Sequence, residues 1–400
     1  MVMASQDRIT SHSRGMRDLL PAHMRGFRRV EDAFRAAAGR WGYEEVRTPT
    51  IENYSLFTTA GMLTPQMLSR VYSFLDWDGW SGERVVLRPD STIPVSRAAE
   101  ESRMETPARL FYVQNVFRFN DSGDREDWQC GIEYLGAPHT IGDLEVSAVA
   151  CETLATLGFT PQVRLSHVGV IRGVLDACGI AAEAVPADLA DQISKTGLRA
   201  LREAASTNAQ LSAFVEVALQ PFAGHSLIAN LVALAPASAP SIAASLDELA
   251  GVAGALVASG RDVTVDFSLP RNFEYYTGVV FEFFANGIEW GGGGRYTTAS
   301  GGTACGLALE AARLASLLAS ATPRRVVVSI VPATKMDFGP ALAVAEALHS
   351  TGIAAALAND NRSGTIAVRV GGDSLVAMTP DGDRQMTSLD DVVGLLVQYK

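Results

Sequence analysis

Four hundred residues, 48% of them hydrophobic and 19% charged, suffice for two or three domains with a sizeable core in at least one. The N-terminal MVMASQDRIT has no apolar run behind its charges, and no stretch approaches the roughly 18 uninterrupted apolar residues of a membrane span, so a soluble cytoplasmic protein is expected. A formal net charge of −11, with Lys195, Lys335 and Lys400 the only lysines, argues against a chain that grips a polyanion along its length.

In chain order, Phe27, Val30, Phe34 and Ala37 recur three or four apart between arginines and acids, which predicts an amphipathic helix over 24–40 ending near Gly39. The segment from Tyr43 to Pro49 predicts a short strand at an edge or terminus, because proline cannot donate to a ladder. Further strands are expected at Arg84–Leu87, Arg109–Phe119, Gly131–Leu135, Val263–Phe267 and Gly278–Phe284. Short turns such as Asp121-Ser122-Gly123 and Ala285-Asn286-Gly287 favour antiparallel pairing. From about 183 to 260 the composition shifts to alanine, leucine and serine, and Ala187–Ala205 and Pro240–Ala258 show helical spacing, as in a helical insertion within one domain. After Pro323 come a strand at Val326–Val331, a helix at Pro340–His349, and strands near Thr365–Val370 and Ser374–Thr379. The expected fold is α+β, with a core domain over 1–322 and a small α/β domain over 323–400.

The four cysteines, Cys130, Cys151, Cys178 and Cys305, form no CxxC pair and have no histidine at ligand spacing. They read as small buried hydrophobes, and no metal or cofactor is expected.

Residues able to do chemistry gather in four segments: Leu87-Arg88-Pro89-Asp90-Ser91-Thr92 with Arg97; Tyr112 to Gly136, holding Arg118, Arg125-Glu126-Asp127-Trp128-Gln129 and Glu133; Leu269 to Gly278; and Gly291 to Tyr296, leading to Gly306-Leu307-Ala308-Leu309. Singly, these read as a common turn, a half-buried tyrosine pair and a glycine hairpin loop. Their joint order resembles the histidyl-tRNA synthetase family and its paralogues over most of residues 10–320. Gly15-Met16-Arg17-Asp18-Leu19-Leu20-Pro21 is similar to the family's N-terminal GxRDLLP, and Thr48-Pro49 with Glu52 resembles its first motif, which implies a homodimer interface there. Arg118 matches the second-motif arginine, Arg271 to Tyr276 resembles the RGLDYY signature of histidine-specific members, and His167-Val168-Gly169 sits where related chains read similarly. The resemblance implies an antiparallel sheet flanked by helices.

The residue types at these positions suit free L-histidine. Asp90, Thr92 and Gln129 can accept from its α-amino group. Arg118 and Arg271 can fork its carboxylate. Glu133, with the hydroxyl of Tyr275 or Tyr276, complements an imidazole that donates from one nitrogen and accepts at the other. ATP is served less well. Asn120 stands where the family has glutamate, the loop from Arg118 to Arg125 looks shorter, and Thr297 replaces an aspartate. Glu310 replaces a glycine near Arg313, the expected phosphate-binding arginine, and would repel phosphates in a poorly solvated site. Residues 324–400 resemble a cut-down anticodon-binding domain, with no room for a helix after Leu357; their seven basic and eight acidic residues give a near-neutral surface, a weak case for tRNA. Within the family, Arg-Pro-Asp with Thr92 is similar to the non-catalytic regulatory branch that pairs with the short-form catalytic subunit of ATP phosphoribosyltransferase. That resemblance implies no catalytic residue and a histidine-sensing role in a hetero-oligomer. The alternatives are a histidine-activating enzyme, either a divergent synthetase or a free-standing adenylate-forming ligase, and a histidine-binding scaffold for an unrelated partner.

Overall fold

The computed structural model describes residues 13–59, 69–77, 82–119, 123–181, 184–268, 275–318, 327–359, 366–372 and 374–397. The chain divides into two compact units, 1–322 and 323–400. In chain order, the first unit holds α1 (Pro21–Arg40), β1 (Glu44–Glu45), β2 (Ile51–Asn53), α2 (Tyr54–Thr59), β3 (Ser73–Trp77), β4 (Gly82–Leu87), α3 (Thr92–Glu101), β5 (Ala108–Phe117), β6 (Glu126–Leu135), α4 (Ile141–Thr156), β7 (Gln162–His167) and α5 (Val168–Ala177). There follow α6 (Ala187–Thr196), a 3-10 turn (Gly197–Leu201), α7 (Arg202–Ala205), α8 (Ala209–Ala218), β8 (Phe222–Ala223), α9 (Ile228–Leu234), α10 (Pro240–Ala258), β9 (Asp262–Val265), β10 (Tyr276–Ala285), β11 (Ile288–Thr297), β12 (Thr303–Glu310) and α11 (Ala311–Leu318).

Nine strands form one sheet in the order β1-β5-β6-β12-β11-β10-β7-β9-β8, and β2-β4-β3 form a smaller one. Alternation along each strand sends side chains to two different cores. Ile132, Tyr134, Phe111, Val113, Cys305 and Leu307 face a large core under α1, α4, α5 and α10. Leu110, Tyr112, Leu135, Tyr296 and Ala304 face a smaller one with Phe57, Ile93 and Val95. Within α10, which is long and apolar enough to cross a membrane by length and composition, Ile242, Leu246, Leu249, Val252, Ala253 and Leu256 are buried in the large core.

Several expectations change. The sheet is mixed, since β1 pairs parallel with β5 and β7 with β9. The expected strand from Tyr43 to Pro49 shrinks to Glu44–Glu45, because side chains satisfy the backbone beyond it. The Thr48 amide donates to Gln114 Oε1 (3.3 Å), and the carbonyls of Thr48 and Pro49 accept from Arg88 (2.8 and 2.9 Å). The glycine run is no loop but the middle of β11. A β-carbon at Gly291 or Gly293 would collide with the β12 backbone, so only glycine allows the strands to approach this closely. Ala187–Ala205 breaks at Gly197, whose φ of 54° ends α6.

The second unit comprises β13 (Val328–Pro332), a 3-10 turn (Lys335–Asp337), α12 (Phe338–Ser350), β14 (Ala355–Leu357), β15 (Ala367–Gly371), β16 (Ser374–Thr379), β17 (Gly382–Met386) and α13 (Leu389–Val397). Its sheet runs β14-β13-β15-β16-β17, with β14 and β13 and then β13 and β15 parallel. The expected βαββ pattern lacked β14, β17 and α13. Most of the segment after Leu357 that was expected to leave no room for a helix lies outside the described residues.

Candidate functional site

The smaller core of the first unit opens into a cavity of about 200 Å³. Asp90, Thr92, Arg118, Gln129, Glu133, Tyr275 and Tyr276 all line it. These are seven of the eight residues expected to hold histidine; Arg271 lies outside the described residues.

At its floor is Glu133, fully buried on β6. Thr92 Oγ1 donates to Oε1 and Tyr296 Oη to Oε2, both at 2.7 Å, with the Tyr112 hydroxyl at 3.5 Å. These are neutral donors. Burial therefore wins and pushes the Glu133 carboxyl up to about 8, against the lowering effect of the hydroxyls from Thr92 and Tyr296. The room for this group comes from glycine on two neighbouring positions. A β-carbon on Gly306 would collide with Glu133 Oε2, and one on Gly131 would collide with the Tyr112 hydroxyl.

Tyr275 stacks on Tyr296 (centroids 5.3 Å, 18°) and meets Tyr276 edge-on at 4.9 Å. Its hydroxyl is buried and finds no hydrogen-bond partner among the described residues. Such an orphan costs about 1–3 kcal/mol, which a ligand atom accepting or donating there would recover. Thr92, expected beside an amino group, instead touches Glu133, so the two expected subsites adjoin.

The rim is built by the Arg-Pro-Asp turn. Arg88 is structural: 2% exposed, it also donates to the carbonyl and the side chain of Asn115 (2.6 and 2.7 Å), tying the turn to β5. Asp90 Oδ1 accepts from the Ile93 amide at 3.2 Å at the start of α3. Arg118 Nε donates to the Pro89 carbonyl at 2.7 Å, and its Nη2 lies 3.7 Å from Asp90 Oδ2. The guanidinium is thus aimed across the mouth. Tyr112, Tyr296, Glu289 and Gly306 also line the cavity and were not among the expected residues. Tyr112 and Tyr296 stood inside quoted segments, but a tyrosine whose role is to hold another residue carries no sequence signal of its own.

A second cavity, about 430 Å³, adjoins the first and shares Arg118, Gln129 and Glu310 with it. Here cations meet acids: Arg17 with Asp124 and Arg313 with Glu310, both at 3.2 Å. Arg313 also donates to the Glu289 carbonyl (3.2 Å) and lies over Trp290. Glu310 is not in a poorly solvated place, as expected from sequence; its side chain is 50% exposed, so water screens any repulsion of phosphate. Its carboxylate pairs with Arg313 instead. Asn120 lies outside the described residues, and Thr297 sits in the ladder opposite Thr303. The cysteines Cys130, Cys151 and Cys305 are buried, and no group of His, Cys, Asp and Glu among the described residues could hold a metal ion.

Comparison with known proteins gives a consistent picture. The histidyl-tRNA synthetase family matches residues 15–314. A protein of Dehalococcoides mccartyi named ATP phosphoribosyltransferase regulatory subunit is 41% identical over 288 residues, covering 71% of this chain and 70% of the relative. A histidine–tRNA ligase of Methanosarcina acetivorans is 33% identical over 299 residues, covering 71% and 68%. Among solved structures, a Bacillus halodurans protein described as an ATP phosphoribosyltransferase regulatory subunit/histidyl-tRNA synthetase superposes with a TM-score of 0.77 over 92% of this chain and 100% of its own, at 23% identity, a likeness of fold.

Proposed function

Since this chain belongs to the histidyl-tRNA synthetase family, we propose that it is a non-catalytic, histidine-binding regulatory subunit of a short-form ATP phosphoribosyltransferase. In this reading it works in the cytoplasm, dimerises through the Thr48-Pro49 region, and confers feedback by histidine on the first step of histidine biosynthesis. The observation that carries the reading is the contrast between two adjoining cavities. One presents a buried carboxyl and an orphan hydroxyl, at Glu133 and Tyr275, to an incoming imidazole. In the other, Arg313, which would meet a triphosphate, is already engaged by Glu310. Asp90, Thr92 and Gln129 then take the α-amino group, while Arg118 and Arg271 take the carboxylate. Tyr276 is the other phenol able to reach the ring. A regulatory role further requires histidine to bind two assembly states with different affinity.

Calorimetry on the purified chain is expected to give micromolar histidine binding with no histidine-dependent pyrophosphate exchange. Co-expression with a short catalytic subunit should yield a hetero-oligomer inhibited by histidine, and failure to associate would refute the regulatory assignment. Arg271→Ala should abolish histidine binding without unfolding the protein; an unchanged affinity would show that the pocket is misplaced. The second reading, a histidine-activating ligase, is favoured by the presence of Arg118 and Arg313 at the two cavities. Cations there would stabilise charge on a displaced pyrophosphate. Robust pyrophosphate exchange would establish it instead.

A further inference from the structure

Residues 295 and 296 stand next to each other on β11 and project to opposite faces of the sheet. Tyr296 faces the cavity, where it donates to Glu133 and stacks on Tyr275. Arg295 faces the large core, where it is 4% exposed. Its guanidinium bonds Asp143 on α4 and Glu248 on α10, and Nη1 lies 2.6 Å from His139 Nδ1. The second oxygen of Glu248 is 3.1 Å from His167 Nε2. His167 Nδ1 accepts from the Gly169 amide at 3.0 Å, so Nε2 carries the proton and donates to Glu248. That bond, helped by Arg295, holds the Glu248 carboxyl down to about 2.

The strand beside this cluster is irregular. Tyr276 pairs with Tyr296 and Val280 with Gly294, which leaves residues 277–279 of β10 opposite Arg295 alone. A bulge of this kind re-aims side chains and disrupts the β10–β11 ladder, while the β11–β12 ladder stays regular through Arg295 and Tyr296. Gly278 packs here against the Arg295 side chain, which a β-carbon would meet at 3.4 Å. On the β10 side, residue 295 is held instead by a charged cluster whose acids come from two helices, and residue 296 is its neighbour in the chain. Arg295 and Asp143 are buried and Glu248 is half-buried, so removing one acid leaves a buried guanidinium partly uncompensated, which is unfavourable.

We propose that Arg295 and Glu248 are positioning residues for the histidine pocket, and that α10 is thereby energetically coupled to the ligand state of that pocket. The proposal rests on the reading that the pocket binds histidine. The path has three steps: ligand on Glu133, Glu133 to Tyr296, and the Tyr296–Arg295 backbone to Glu248. A second tie runs beside it, from Arg172 on α5 to the carbonyl of Tyr276 at 3.0 Å. Coupling of this kind is reciprocal, so histidine must tighten α10 by the same factor by which a firmly held α10 favours histidine. The helical segment ending in α10 thus becomes an element that reports whether the pocket is filled.

The test is amide hydrogen exchange on the whole chain, with and without saturating histidine. Histidine is expected to slow exchange across 240–258 as well as in β6, β10 and β11. Glu248→Gln, which keeps the shape but sets an amide against the proton on His167, should weaken histidine about tenfold and abolish the protection of α10. Leu246→Ala, a packing change in the same helix away from the charged cluster, should lower Tm and leave histidine affinity within twofold. Protection confined to the three strands overturns the coupling alone, even if Glu248→Gln fails to fold, because that measurement needs only the wild type. An affinity loss in Leu246→Ala equal to that in Glu248→Gln also overturns it. Absence of histidine binding by the wild type would overturn the functional reading along with the coupling.

Discussion

The two cavities that meet at Arg118, Gln129 and Glu310 are lined differently, one by tyrosines and glycines and the other by arginines and acids, and are prepared in opposite ways. In the smaller one, Glu133 is held in place by neutral hydroxyls with no described cation beside it, and only the Tyr275 hydroxyl is left with nothing described to bond. In the larger one, Arg17 and Arg313 have found acids within the chain. A binding site is recognisable less by which residues it contains than by whether their hydrogen-bonding capacity is already spent inside the protein. Pairing of charges in the larger cavity makes an external anion compete with an internal one.

Four measurements would break or sharpen this contrast. The largest effect is expected at Glu133: Glu133→Gln should weaken histidine roughly 100-fold by calorimetry, the scale of losing a hydrogen bond to a charged group in a buried site. An affinity within threefold of wild type would remove the carboxyl from ligand recognition. Next is the pH dependence of the ligand-free protein. The Glu133 pKa is raised by burial from the ordinary carboxylate range to about 8, so the fold favours its protonated form. Its stabilising contribution is complete below the unfolded-state pKa near 4.3, declines as pH rises, and is gone above about 8. The Tm of the wild type should therefore fall relative to that of Glu133→Gln between pH 5 and pH 8, by on the order of a few kcal/mol in stability. Parallel Tm curves would mean that Glu133 is ionised in the fold throughout. Tyr275→Phe comes third, with about a tenfold loss of histidine affinity and an unchanged or raised Tm in the absence of ligand, since it removes an unpaired buried hydroxyl. A loss of Tm with no change in affinity would place that hydroxyl in the fold rather than at the ligand. The smallest effect is expected in the other cavity, where Glu310→Gly should strengthen ATP binding a few-fold by releasing Arg313 from a half-exposed pair worth under about 1 kcal/mol. No change on fluorescence titration with a labelled nucleotide would show that the ion pair is not what keeps phosphate out.

Much of the cavity's lining was legible because the motifs resemble the family's in joint order and their residue types suit a histidine ligand: an acid at 133, a phenol at 275, a guanidinium at 118. What was not legible depends on neighbours distant in sequence. The glycines of β11 read as a loop, since glycine is disfavoured in strands, and only the nearness of the β12 backbone makes them obligatory. The stretch after Tyr43 read as a strand because nothing local announces that Arg88 and Gln114 take its backbone bonds. Arg295 read as one residue of a glycine-rich motif; its partners lie 152 positions away at Asp143 and 47 away at Glu248, beyond any periodicity argument. The parallel partners of β1 and β7 were missed for the same reason, as pairing direction is decided by where the chain returns.

The bare floor at Gly306 has a practical consequence. Because the space above it is taken by Glu133 Oε2, with the Ile132 carbonyl close behind, one added methyl group displaces the carboxyl and presses on the β6 backbone without introducing charge. Under the proposed function, Gly306→Ala is a one-methyl edit expected to blind the chain to histidine. If the proposed function holds, a cell carrying that allele would separate what such a subunit does by being present from what it does by sensing.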